Sequence, residues 1–110
     1  MLKEIKEKVK KQLLRDKVYI DCRCSEELYE KLLTEEEKNY LEEKELTVLD
    51  VIDMVLPETF KHKVELYMYD EEIYFITFNK KKDAIDAINS WYDDRKRKRA
   101  LYVLKQYKTR

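Results

Sequence analysis

The residues most able to do covalent or metal chemistry in this chain are Cys22, Cys24, His62 and a scatter of aspartates. Cys22 and Cys24 stand two apart in a strand-like run, so both thiols face the same way. A disulfide between them would be strained. A zinc site needs about four ligands, and His62 is the sole histidine. The pair therefore reads as two buried, reduced thiols. No Ser/His/Asp or Cys/His arrangement is present. Asp21 is a single carboxylate on a strand, short of a two-metal site. Asp50 with Asp53, and Asp83 with Asp86, have the three-residue spacing of a helix surface. The chain contains no glycine, and phosphate-cradling loops and dinucleotide fingerprints need glycine where backbone approaches ligand. The expectation is a non-catalytic protein with no cofactor and no metal.

Binding chemistry is better represented. Aromatic side chains stack on bases, and Lys and Arg hold phosphates. Tyr19, Tyr67, Phe75 and Tyr102 supply the first, and Arg23, Lys80, Lys82, Arg95, Arg97 and Arg99 the second. Formal net charge is +0, but unevenly spread. Residues 1–17 carry seven basic and three acidic groups, and residues 79–110 carry eleven and four. Residues 18–58 carry four basic and thirteen acidic groups. The ends are basic and the middle acidic, so a neutral total leaves room for a basic face.

These residues need elements to position them. Leu2, Ile5, Val9 and Leu13 form a narrow apolar stripe, which predicts a helix over 2–15. Val18 to Cys24 alternates as a half-buried strand. Ser25, Thr34 and Thr47 look like N-caps, and Thr34 to Glu37 has capping-box spacing. Helices are expected after each, the last ending at Pro57. Lys63–Tyr69 and Ile73–Phe78 alternate as the two strands of a hairpin. A helix follows from about Lys81, with Ala84, Ile85, Ala87, Ile88, Trp91 and Tyr92 as its apolar face. Asp93–Arg99 reads as a charged exit and Ala100–Gln106 as a final strand.

Without its first helix the order is βαββαβ. It predicts an α+β, ferredoxin-like two-layer sandwich with a four-stranded antiparallel sheet and helices on one face. A single domain spans residues 1–110, with 1–16 a helical extension and 17–110 the core. Val18, Ile20, Cys22, Val64, Leu66, Met68, Tyr74, Ile76, Phe78, Leu101 and Val103 face inward. Leu32, Val51, Val55, Ile85, Ile88 and Trp91 cover them. The other sheet face carries Tyr19, Tyr67, Phe75 and Tyr102 beside Arg23.

On that face the chain resembles the RNA recognition motif (RRM) family. Ile73–Phe78 is similar to the end of its longer ribonucleoprotein motif, with Phe75 at a stacking position. Val18-Tyr19-Ile20 is similar to the start of the shorter motif, with Tyr19 at its aromatic position. Ala84, Ala87 and Ile88 resemble the following helix. Glu71 and Glu72 replace the family's basic residue and glycine, and Ile73 replaces the other stacking aromatic. The resemblance implies binding of nucleic acid, single-stranded RNA in particular, through an aromatic sheet face with basic residues beside it.

The competing expectation is a small protein-binding or homodimeric accessory factor, such as a viral protein acting on a host complex. In it the first helix covers the open face, or that face meets a second copy or another protein. The Lys- and Glu-rich, glycine-free composition points towards a thermophile or its virus, and an AT-rich coding genome gives a similar bias. No run suits a secretory leader or a membrane span. A soluble protein of the cytoplasm, the host's if viral, is expected.

Overall fold

A computed structural model describes residues 1–21, 25–68 and 73–108. Its elements are α1 (Leu2–Asp16), β1 (Val18–Ile20), α2 (Ser25–Glu30), α3 (Glu35–Glu43), α4 (Val48–Thr59), β2 (His62–Tyr67), β3 (Ile73–Phe78), α5 (Lys81–Asn89) and α6 (Asp94–Gln106). They fall into two compact units. A helical unit comprises Met1–Asp16 and Cys22–Thr59, and a sheet unit comprises Lys17–Asp21 and Phe60–Arg110.

In the helical unit the stripe on α1 is real. Ile5, Val9 and Leu13 are fully buried, and α1 packs on α4, whose own buried face is Val48, Val51, Ile52, Val55 and Leu56. Each such side chain contributes about 1.5–3 kcal/mol when taken from water. Local signals set the ends of these helices. Thr34 caps α3 in a complete capping box: its hydroxyl accepts from the Glu37 N–H, and the Glu37 carboxylate accepts from the Thr34 N–H. Thr47 and Asp50 repeat the exchange at the start of α4. At the far end of α3 the Leu46 N–H reaches the Leu41 carbonyl and the Glu45 N–H reaches Glu42. This is a Schellman closure. Glu45 takes the left-handed φ of 57° that glycine usually supplies there. The expected stop at Pro57 does not occur, because α4 continues to Thr59. A proline in the last turn removes only one donor, too little to end a helix held by five buried side chains.

In the sheet unit β3 is central. The order is β1-β3-β2, with β3 antiparallel to both neighbours. Tyr19 pairs with Thr77; Val64 pairs with Ile76 and Tyr67 with Ile73. Val64, Leu66, Met68, Ile76 and Phe78 form a core with Ala84 and Ile88 of α5 and Ala100 and Leu104 of α6.

The expected fourth strand is a helix. Ala100–Gln106 lies inside α6, so the described sheet has three strands and the four-stranded ferredoxin-like sandwich does not form. Asp93 starts α6, its side chain accepting from the Lys96 N–H at 3.0 Å. The Lys and Arg residues of the supposed exit are good helix formers. Ala100 and Leu104, four apart, are fully buried, which is helical spacing. Leu101 and Val103 reach the core from this helix rather than from a strand. Val51 and Val55 are buried residues of α4, in the helical unit. The expected features at Cys22, Arg23, Cys24 and residues 69–72 lie outside the described residues.

Candidate nucleic-acid interface

The sheet face away from α5 and α6 carries Tyr19 on β1, Ile73, Phe75 and Thr77 on β3, and Lys63, Glu65 and Tyr67 on β2. These residues share a face because opposed residues in an antiparallel pair do. It is not an open aromatic platform. Tyr19 is 5% exposed and Thr77 4%. The Thr77 hydroxyl donates to the Tyr19 carbonyl at 3.1 Å. Phe75 is half-buried, and the Lys63 ammonium lies over its ring, 4.6 Å from the centroid. A base would have to displace that cation–π contact. Tyr67 alone of the three expected stackers is open, at 58% exposure beside exposed Ile73. A hydrogen bond to the Glu65 carboxylate, with its negative charge, raises the Tyr67 phenol above the ordinary tyrosine range.

The fourth aromatic, Tyr102, stands on α6 and is 60% exposed. It lies in a stripe of exposed residues: Arg95, Lys98, Arg99, Tyr102 and Lys105. Steps of three and four keep these on one side of a helix. From Arg95 to Lys105 the stripe is about 15 Å long, close to the axial reach of four nucleotides of a duplex strand. As a whole α6 has six basic side chains against one carboxylate, Asp94.

Not all the expected cations belong to this stripe. Arg97 turns inward: its guanidinium donates to the Trp91 carbonyl at 2.9 Å and pairs with Asp94. Lys98 also reaches Asp94, at 3.0 Å. The bond from Lys98 and the nearby Arg97 charge hold the Asp94 carboxyl below the ordinary aspartate range. Lys80 and Lys82 stand at the start of α5. Between them Lys81 donates to the carbonyls of Lys105 and Tyr107, at 3.2 and 2.6 Å. That tie brings the start of α5, where Lys80 and Lys82 stand, to the end of α6. Arg95 and Arg99 lie towards the other end of α6. Lys98 and Lys105 are the members the sequence reading left out of the site. The signal for them was the spacing from Arg95, visible once residues 94–106 are read as a helix.

Helix electrostatics do not account for this charge. Cations stabilise the C-terminal end of a helix, where the dipole is negative. Here Arg95 to Arg99 occupy the first turns of α6, at its positive end. Asp94, paired with Arg97 and Lys98, offsets part of the repulsion.

Among the described residues no group of three or more His, Cys, Asp or Glu could hold a metal ion. His62 faces the Tyr107 hydroxyl across 3.2 Å. No described helix is long and apolar enough to cross a membrane. No family model matches the chain, and no curated protein or solved structure matches it.

Proposed function

We propose that this chain is a non-catalytic nucleic-acid-binding module that grips a single strand along the outer face of α6. Arg95, Arg99 and Lys105 hold phosphates, and Tyr102 offers a ring for a base. Lys80 and Lys82 extend the track past the end of the helix. The observation that carries the reading is the exposed basic stripe around an exposed aromatic, whose Arg95 stands in the first turn of α6, where the helix dipole disfavours a cation. Stacking on Tyr19 and Phe75 has no part in it, since one is buried and the other covered by Lys63. A cytoplasmic location goes with this reading.

The test is binding of a fluorescent single-stranded RNA across a salt series. Three to four phosphate contacts give a slope of log affinity on log salt of about −2 to −3. Tyr102→Ala should weaken binding by about 1–3 kcal/mol, and Arg99→Ala should make the salt slope shallower by about 0.7. Affinity indifferent to salt and to both substitutions refutes the proposal. The second reading, a protein-binding factor, draws on the exposed Tyr67–Ile73 pair. It would be supported by loss of a protein partner in Tyr67→Ala.

A further inference from the structure

We propose that the outer edge of β2 pairs with the same edge of a second copy, joining two sheets about a two-fold axis at Val64. β2 has β3 on one side and, among the described residues, no strand on the other. The direction of its free backbone groups follows from one bond. The Asp21 N–H donates to the Phe75 carbonyl at 3.0 Å, so the polar groups of Phe75 face β1. Alternation then turns those of Tyr74 and Ile76 towards β2. Their partners Leu66 and Val64 face back. The N–H and C=O groups of Lys63, Glu65 and Tyr67 are therefore the ones that point out from the edge.

These three residues restrict how two copies can meet. An antiparallel partner must place side chains of one face opposite side chains of the same face, or the core of one sheet meets the solvent side of the other. Among registers that satisfy this, only those centred on Val64 or Glu65 overlap five residues of the strand. Centring on Glu65 sets two carboxylates against each other. Centring on Val64 sets Lys63 of each copy against Glu65 of the other, and both have outward-pointing backbone groups. Two such pairs form, each exchanging two main-chain bonds. Val64 meets its own copy on the core side, where valine packs well. Charged residues on an edge ordinarily discourage pairing. Here the order Lys63, Val64, Glu65 makes one self-pairing complementary, and the interface isologous.

Sedimentation equilibrium of the whole chain tests the proposal. The wild type should show a concentration-dependent monomer–dimer equilibrium. Lys63→Glu and Glu65→Lys each turn two attractive pairs into two repulsive ones, and each should weaken the dimer about tenfold or more. The double variant K63E/E65K restores opposite charges and should return to within about threefold of wild type. Glu65→Pro removes an outward N–H while leaving the β2–β3 ladder in place, and should abolish the dimer. Circular dichroism checks that each variant is folded. Both charged side chains are exposed, so folding should survive their exchange. The proposal is overturned if the wild type stays monomeric at the highest concentration reached. It is also overturned if the single variants associate like wild type, or if the double variant is as weak as the singles.

Discussion

Replacing Glu37 by alanine should destabilise the helical unit by about 2–3 kcal/mol at neutral pH. Glu37 is 6% exposed, and one oxygen of its carboxylate serves two donors. The Lys8 ammonium lies at 2.5 Å and the Thr34 N–H at 2.9 Å. Losing the bond to Thr34 breaks half of a capping box, about 1 kcal/mol. Losing the ion pair would cost about 3–5 kcal/mol if Lys8 were left buried. Its side chain is 41% exposed and can turn to water, so about 1–2 kcal/mol is the better figure. The sum corresponds to a fall in Tm of roughly 10 °C for a chain of this size. The assay is thermal and urea unfolding by far-ultraviolet circular dichroism, with Lys8→Met completing a double-mutant cycle.

The same carboxylate gives a pH signature. Burial pushes the Glu37 carboxyl up, but the bonds from Lys8 and Thr34 outweigh it and leave the group below its ordinary 4.5. A depressed folded pKa means the unfolded chain takes up the proton first. The contribution is therefore fully present above 4.5 and is lost as pH falls through the folded value. The gap between wild type and Glu37→Ala should narrow as the pH falls below 4.5. A gap under about 0.5 kcal/mol at neutral pH, or one unchanged in acid, refutes the assignment of the stability to this pair.

Two further outcomes follow from packing and backbone geometry. Glu45→Gly relieves a left-handed non-glycine residue at the end of α3. It should raise stability by about 0.5–1 kcal/mol in urea unfolding, because the relief exceeds the extra freedom gained by the unfolded chain. Leu104→Ala opens a cavity beneath α6, where Leu104 is fully buried, and should cost about 2–5 kcal/mol by the same measurement. A near-neutral result would place residues 100–106 outside the core.

Much of the fold was legible because its signals are local. The stripe of Ile5, Val9 and Leu13, the Thr34 capping box and the alternation of Ile73–Phe78 each lie within one element. The strand expected at Ala100–Gln106 shows where local reading gives way. Leu101, Tyr102, Val103 and Leu104 are a short apolar run with strand-like residues, and four-residue runs do not distinguish a strand from a buried helix segment. The deciding signals were Asp93, seven residues upstream, and the four-residue step from Ala100 to Leu104. Which helix covers which surface is not local at all: nothing near Val51 or Val55 says that α1 is their neighbour. The site inherited this error. The basic residues are evident in the sequence, but a strand over residues 100–106 puts Tyr102 on a sheet face. Its alignment with Arg95 and Arg99 appears only on a helix.

The place of Trp91 gives the molecule a built-in optical probe. It is the one tryptophan in the chain, packed against the sheet unit's core with its ring edge-on to Tyr74. Its emission therefore follows the sheet unit, while the far-ultraviolet signal sums helices from both units. Coincident melting curves from the two signals would mean that α1–α4 and the sheet unfold as one cooperative body. Separate curves would mean that each unit holds its own structure, and a lesion at Glu37 would then shift one curve and leave the tryptophan curve where it was.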